Sequence, residues 1–233
     1  MTRLPWLVWV VAVSAFAAPL PTKTDRARDE LVGPVRTVAT RWQANHRNAD
    51  GAIEERELGV VEYDAAGNLV VSREYTGAFV RERRPERRGH DETLFRSEMG
   101  SALERFVYDA HDNLVGRRAW YKDTAGGPPD IFERMKYDAA DRQIESDSLG
   151  SDGALLDATI YTRDTRGLVV VEEDRRHDAK PPYPRMHYTY TLDAHQNWTS
   201  RFVRRENAPE DAYDYQYAGN LFRTITYFPA SSH

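Results

Sequence analysis

A short hairpin-turn motif recurs along this chain and constrains its fold more than any other feature. Its clearest copy reads Tyr-Asp-Ala-Ala-Gly-Asn-Leu over residues 63 to 69. The Asp64 side chain can hydrogen-bond the backbone two residues on, and the two alanines fit the helical positions of a type I turn. Gly67 suits the left-handed position that closes a three-residue loop with a bulge. Each copy therefore predicts two antiparallel strands joined by a tight turn.

Five further copies of the motif follow, with decreasing fidelity, to near the C-terminus. The structural turn positions assigned to the six copies are Asp64, Gly67, Asp109, Asp112, Asp138, Asp141, Asp164, Gly167, Asp193 and Gly219. Asp tolerates the left-handed conformation better than most residues, so it can replace Gly at that position. The copy that starts at Leu192 has Gln196 there instead, which predicts a distorted or lengthened turn.

The residues around each turn alternate as they do in half-buried strands. Positions one and three before the first corner are almost all aromatic or apolar, and the position between them is mostly polar. The corners are 45, 29, 26, 29 and 23 residues apart, and spacings in this range indicate a repeat architecture. We therefore predict an all-β fold, an irregular repeat of antiparallel β-hairpins that forms a twisted sheet, open or partly curled. The motif turns should lie at one end of the strands and longer, variable loops at the other.

Residues 63 to 69 resemble the YD repeat of the Rhs (rearrangement hot spot) family, whose β-hairpins stack in large secreted bacterial shells. Residues 31 to 38 are similar to the first strand of short exported bacterial proteins with such repeats. The resemblance covers about residues 30 to 227, and MORN-like repeats share a comparable Tyr and Gly core. The chain lacks the Asp-Pro-x-Gly segment and the effector of large toxin-bearing members. The resemblance therefore implies the repeat scaffold alone.

The N-terminus has the pattern of an export signal. Arg3 precedes an apolar run from Leu7 to Ala18, and Ala15-Phe16-Ala17 offers a small-residue cleavage site. The run is too short to span a bilayer comfortably. We predict a periplasmic or secreted protein without a membrane span after signal cleavage. Its predicted segments are a signal peptide at 1–17, a flexible leader at 18–30 and a β domain at 31–229.

The long interval between the first two copies contains an insertion at about residues 76 to 103. Residues 81 to 90 are dense in Arg and Glu, and Glu92 to Leu103 is compatible with a short amphipathic helix. An arginine cluster permits contact with an anionic polymer. The formal net charge of −5 instead favours a solvated loop and no nucleic-acid partner.

The residue pattern does not predict a catalytic or metal site. His111 and His195 occupy the same slot of two turns, which would lie about 29 Å apart in an open sheet. The chain has no Cys, no Gly-x-Ser-x-Gly and no His-Glu-x-x-His. Ser101, Ser148 and Ser151 have no His closer than ten residues in sequence. We therefore expect no cofactor, no metal and no catalytic residue.

These observations favour a non-catalytic, exported binding or scaffold module of YD-repeat type. Its expected partner is an unknown protein or polysaccharide of the cell envelope, met by the variable loops or by the sheet face. The alternative is a secreted or periplasmic hydrolase with its site in the loops around the Arg-rich insertion.

Overall fold

The described part of the chain folds into fourteen antiparallel strands that close into a barrel, preceded by one helical turn. The computed structural model describes residues 23–47, 50–77, 79–88, 91–97, 100–123, 125–177, 180–206 and 219–229. The predicted signal peptide lies outside these residues. The elements are α1 (Asp25–Arg28), β1 (Val35–Arg47), β2 (Ile53–Tyr63), β3 (Leu69–Thr76), β4 (Phe79–Arg87), β5 (Glu92–Ser97), β6 (Gly100–Tyr108), β7 (Leu114–Trp120), β8 (Ile131–Tyr137), β9 (Gln143–Leu149), β10 (Leu155–Arg163), β11 (Val169–Arg176), β12 (Arg185–Leu192), β13 (Trp198–Glu206) and β14 (Gly219–Tyr227).

Pairing of the first strand with the last closes the barrel. The register of β1 and β14 runs from Val35 opposite Tyr227 to Ala44 opposite Gly219, and β1 pairs with β2 along its other side. The prediction of an all-β fold of antiparallel hairpins is confirmed. The prediction of an open or partly curled sheet is corrected, because closure removes the two free edges that an open sheet would expose.

Within the described residues, five motif turns lie at one end of the barrel, here called the turn end, and comprise residues 64–68, 109–113, 138–142, 164–168 and 193–197. In the first, the backbone N–H of Asp64 donates to the Asn68 carbonyl at 2.9 Å, and the Gly67 N–H donates to the Asp64 carbonyl at 3.0 Å. An Asp64 carboxylate oxygen accepts the Asn68 N–H at 2.9 Å. The same bonds recur from Asp109, Asp138, Asp164 and Asp193. Left-handed φ angles occur at Gly67, Asp112, Asp141, Gly167 and Gln196.

The turn that contains Gln196 has the same geometry as the others. Gln196 has φ 68°, and its N–H donates to the Asp193 carbonyl at 3.1 Å. The prediction of a distorted or lengthened turn is wrong. The hydrogen bonds of Asp193 hold the loop, and Gln accepts the left-handed conformation at a modest energetic cost.

Gly219 is the first residue of β14 and does not occupy a turn. It pairs with Ala44 in β1, and a Cβ at this position would overlap the indole of Trp42. The prediction of a turn glycine is therefore wrong here. Glycine is needed because the Trp42 ring fills the space of the missing side chain. Residues 207–218, which contain the rest of this motif copy, lie outside the described residues.

The insertion adds strands β4 and β5, so the short helix predicted over Glu92 to Leu103 is wrong. Leu94 pairs with Leu103, and Thr93 pairs with Glu104, in an antiparallel register. Alternate residues of this stretch therefore share a face, with the period of a strand. The added strands account for the long interval between the first two motif copies.

The aromatic positions before the motif turns face the lumen. Tyr63 and Val61 pack with Leu31 of the N-terminal segment, which lies inside the turn end. Because successive strand residues point to opposite faces, Glu62 lies on the outer wall. Among the described residues, no helix is long and apolar enough to cross a membrane.

Candidate functional site

Residues 23 to 34, here called the crossing segment, span the turn end of the barrel. The side chain of Thr24 accepts a hydrogen bond from the Ala27 N–H at 3.2 Å and caps α1. The sequence predicted a flexible leader up to residue 30. From residue 23 onward the structure instead has a helical turn with hydrogen bonds to the barrel.

The crossing segment contacts hairpins on different sides of the barrel. Lys23 reaches the β6–β7 turn, the Arg26 N–H donates to the Gly67 carbonyl at 3.0 Å in the β2–β3 turn, and the Val32 N–H donates to Asn197 at 2.7 Å in the β12–β13 turn. Fourteen tilted strands about 4.8 Å apart enclose a barrel roughly 25 to 30 Å wide. Twelve residues can reach all three turns only by crossing the lumen.

An apolar contact anchors the crossing segment to the seam between the first and last strands. Leu31 lies in a buried cluster with Val35, Val38 and Tyr63, and the side chains of Ile225 and Tyr227 pack against it. Burying a leucine side chain stabilises a protein by roughly 1.5 to 3 kcal/mol. The segment is therefore held by packing as well as by hydrogen bonds.

Two carboxylates of the crossing segment point to barrel side chains. The Tyr63 hydroxyl donates to the Asp29 carboxylate, and Glu30 forms an ion pair with Arg163 at 2.8 Å. Burial raises the pKa of Asp29, and it raises the pKa of Tyr63 as well. Ionised Asp29 is thus disfavoured where it lies, which makes this contact sensitive to pH.

A cavity of about 290 Å³ lies in the lumen beside the crossing segment. This is close to the lower end of the range, about 300 to 1,000 Å³, of small-molecule sites. The cavity mixes aromatic and charged side chains from both the segment and the strands. They include Asp29, Glu30, Tyr161, Trp198, Arg201 and Arg223.

Two arginines stack on aromatic rings in this cavity. The Arg223 guanidinium carbon lies 3.5 Å from the centre of the Trp198 ring, and that of Arg201 lies 4.5 Å from the centre of the Tyr188 ring. Burial, together with repulsion from Arg201, lowers the pKa of Arg223 to about 10. Each ring face attracts the cation above it.

A second charged cluster lies in the lumen on strands β6 to β8. Arg117 donates to Glu104 at 2.8 Å and to Glu133 at 2.8 Å. Hydrogen bonds that Arg117 donates to Glu104, opposed by burial, raise the pKa of Arg117. Here the arginine is fully paired with carboxylates, unlike Arg223.

The outer wall carries charged side chains that pair between neighbouring strands. Lys136 lies between the lumen-facing Met135 and Tyr137 and pairs with Glu145 on β9. Further pairs on this wall are Arg41–Glu55, Arg73–Glu62, Arg96–Glu86, Arg105–Glu92, Arg134–Asp147, Arg185–Glu173 and His187–Glu206. Such pairs are typical of a surface in contact with water, since a lipid-facing barrel wall has an apolar band.

The two turn histidines do not come together, although the sheet closes. His111 Nδ1 lies 2.9 Å from Asp141, and the His195 ring stacks on Tyr227 with 4.2 Å between centres. In the part of the chain that the structure describes, no group of three His, Asp or Glu side chains could hold a metal ion.

Sequence reasoning missed both the crossing segment and the arginine pair. The segment has no strand or helix periodicity, because its contacts are to turns distant in sequence. The arginine pair did leave a signal. Every second residue of the last strand from Leu221 to Tyr227 is apolar or aromatic except Arg223. This alternation places Arg223 on the same face as its apolar neighbours, which is the lumen face.

Comparison with known proteins identifies a structural relative but not a family. No protein-family model and no curated protein sequence matches the chain. A solved structure, a porin-like protein from Bacteroides uniformis, matches 84% of this chain and 99% of its own with a TM-score of 0.50 and 11% sequence identity.

The barrel and this structural match correct two predictions. The resemblance to the Rhs shells is wrong, because the hairpins close on themselves into a barrel similar to a porin-like protein. The function inferred with it, a YD-repeat binding or scaffold module or else a hydrolase, is contradicted by the same finding. Arginines of the insertion, such as Arg84 and Arg96, pair with glutamates on the strands. At this level of identity the likeness shows the fold alone, a closed antiparallel β-barrel.

Proposed function

We propose that this protein is a transport-type β-barrel of the cell envelope that takes a small solute into its lumen. The observation that carries the proposal is the polar cavity of about 290 Å³ in the lumen, beside a segment that crosses the turn end. Barrels of this size enclose ligand cavities or channels rather than a core filled by side chains.

The crossing segment gives the lumen a closed end. Its anchors, Leu31 in an apolar cluster and Val32 on Asn197, hold it across the barrel. A solute in the cavity would contact Asp29 and Glu30 of this segment directly. Solute binding and the position of the segment are therefore coupled in this proposal.

The proposed location is the envelope on the water-exposed side of a membrane. The export signal predicted over residues 1–17 favours the envelope, and the charged pairs on the outer wall favour water over lipid. An Arg or Lys side chain at the bilayer midplane of such a barrel costs roughly 2 to 4 kcal/mol, and this wall carries many.

Single cysteines test whether the lumen admits solutes, because the chain has none of its own. Tyr161→Cys places a thiol in the cavity, and the neighbouring Thr162→Cys places one on the exposed outer face. We expect a small methanethiosulfonate to label both and a polyethylene-glycol maleimide to label only Thr162→Cys. Gln143→Cys, also at the cavity, is the second probe if the first variant folds poorly. If the small reagent labels neither Tyr161→Cys nor Gln143→Cys, the proposal is wrong.

An outer-membrane channel is the second candidate, because the matching structure is described as porin-like. Exposed apolar residues such as Val107 and Phe202 interrupt the charged pairs on the outer wall. Washing the envelope fraction with alkaline carbonate separates the two candidates. Release into the supernatant supports the water-exposed barrel. Retention in the pellet, together with conductance in planar bilayers, would favour the channel.

A further inference from the structure

We propose that the cavity binds an oxyanion, a carboxylate or a phosphate group, between Arg201 and Arg223 and beside the Trp198 ring. This inference rests on the proposed function, since it names the chemical class of the solute that the lumen takes.

The strand register brings the two arginines to one place in the lumen. Arg201 on β13 pairs with Leu221 on β14, and Arg223 lies two residues further along β14 on the same face. Both cations approach the same indole, since their guanidinium carbons lie 5.7 Å and 3.5 Å from the Trp198 ring centre. Two like charges are thus held close together by the aromatic rings around them.

Among the described residues, the two guanidinium groups have no carboxylate within ion-pair distance, and Asp29 attracts Arg223 only from further away. Within the described residues, neither Arg201 nor Arg223 forms an ion pair, and the buried Nε of each has no hydrogen-bond acceptor. Arg201 does interact with the hydroxyl of Tyr190. By contrast, Arg163 in the same cavity bonds to two backbone carbonyls and to Glu30. Buried donors without acceptors are destabilising, and each such group in a native protein calls for an explanation.

The carboxylates of the cavity are already engaged elsewhere. Glu30 pairs with Arg163, Glu172 accepts a hydrogen bond from Tyr188 at 2.9 Å, and Asp29 accepts one from Tyr63. A solute oxyanion would supply the missing negative charge. Guanidinium groups bind carboxylate and phosphate through paired N–H donors.

The shape of the site sets a second requirement for the solute, besides its oxyanion. Trp198, Tyr188 and Tyr190 surround the arginines with aromatic surface, which favours a solute that also has a compact body to pack on the rings. The cavity of about 290 Å³ sets its upper size. Inorganic phosphate and glucuronate are suitable probes, since each carries an oxyanion and only the second carries a sugar ring.

Isothermal titration of the purified protein with phosphate, glucuronate and neutral glucose tests the site. We expect at least one anion to bind, glucose not to bind, and Arg223→Gln and Arg201→Gln each to weaken anion binding by at least about tenfold. Arg223→Lys keeps the charge but loses the paired donors, so it should recover part of the affinity. Arg118→Gln is the matched control, because Arg118 stacks on Phe132 at 4.7 Å on the outer wall and should leave binding unchanged.

The outcomes separate the two proposals. If the cavity thiol reacts but neither anion binds, or if Arg223→Gln and Arg201→Gln bind as the wild type does, the oxyanion site is wrong and the transport-type barrel stands. If the cavity thiols stay closed to reagent and neither anion binds, the solute-admitting barrel is wrong, and the oxyanion site fails with it. Circular dichroism melts show whether a variant loses binding because it unfolds. If Arg223→Gln does not fold, the affinity of Arg223→Lys for the anion tests the site instead.

Discussion

Asn197 and Val32, 165 residues apart in sequence, are joined by two hydrogen bonds. The Val32 N–H donates to the Asn197 side-chain oxygen at 2.7 Å, and the Asn197 amide donates to the Val32 carbonyl at 2.8 Å. The Asn197 side chain thus bonds both the N–H and the carbonyl of Val32, as the backbone of a neighbouring strand would. A residue of the turn motif fixes the segment that closes the turn end.

Replacing Asn197 should destabilise the protein more than replacing the same motif position in another turn. Asn197→Ala removes both bonds to Val32 and a third to Tyr227 at a buried site, which should cost about 2 to 3 kcal/mol. Asn68→Ala removes one exposed side-chain bond and should cost about 0.5 kcal/mol. Urea unfolding of both variants measures the difference. Equal losses would mean that the Val32 contact does not hold the crossing segment.

The two motif glycines in the left-handed conformation should respond differently to Asn. At Gly167, φ 93°, a Cβ would meet only an Arg142 side-chain carbon at 3.5 Å, so Ala should cost about 1 kcal/mol and Asn less. At Gly67, φ 91°, a Cβ would lie 2.9 Å from the Thr24 hydroxyl. Asn should therefore fail to rescue Gly67, and Thr24→Gly should restore tolerance there. Thermal melts test both expectations. The single variants are Gly167→Ala, Gly167→Asn, Gly67→Asn and Thr24→Gly, and the double variant combines Gly67→Asn with Thr24→Gly.

Gln196→Gly should stabilise the protein. Gln196 holds φ 68° in a turn whose hydrogen bonds are intact, so glycine relieves left-handed strain of about 1 kcal/mol. Greater freedom of glycine in the unfolded chain offsets part of this gain, which leaves a few tenths of a kcal/mol. Differential scanning calorimetry detects such a change. A lower melting temperature would show that the Gln196 side chain makes a stabilising contact.

Local sequence predicted the hairpins well because their physical causes are local. Turn aspartates such as Asp64 bond to a backbone N–H four residues away, and alternation around Tyr63 sets the faces of the strand. The turn around Gln196 shows that this backbone geometry tolerates a residue that the pattern disfavours.

Closure of the barrel and the lumen site could not be predicted in this way. The pairing of β1 with β14 joins residues such as Val38 and Ile225, which are far apart in sequence, and no local pattern encodes a strand's distant neighbour. The site around Arg223 is likewise not encoded locally, because Trp198 and Arg201 of β13 become its neighbours only through the pairing register of the strands. Strand number, tilt and stagger together determine closure, and these are properties of the whole sheet.

Asp29→Asn should stabilise the protein more at neutral pH than at pH 4. Burial raises the pKa of Asp29 in the folded state, above an unfolded value of about 3.9. The favourable contribution of the protonated form is full below the unfolded pKa and is lost as the pH rises through the folded pKa. Asn stays neutral throughout. Melting temperatures of wild type and variant at pH 4 and pH 7 should diverge at the higher pH, and a constant difference would refute this account.

The seam of the barrel provides the most direct test of closure. A Cβ on Gly219 would overlap the Trp42 indole and approach the Gln43 carbonyl at 2.5 Å. Gly219→Ala should therefore force the two strands apart and cost about 3 kcal/mol or more. Gly116→Ala is the matched control in β7, since its nearest neighbour is a Val107 side-chain carbon at 3.5 Å, and it should change stability by less than about 0.5 kcal/mol.

A compensating change distinguishes the seam from a general effect of alanine. In a closed barrel, Trp42→Leu should itself destabilise the protein and should reduce the further loss caused by Gly219→Ala, because it removes the overlap with the indole and leaves only the approach to the Gln43 carbonyl. The double-mutant cycle should give a coupling of about 1 kcal/mol or more. In an open sheet, β1 and β14 would be separate edges, and Gly219 and Trp42 would act independently. Additive effects in urea unfolding would therefore contradict the closed barrel.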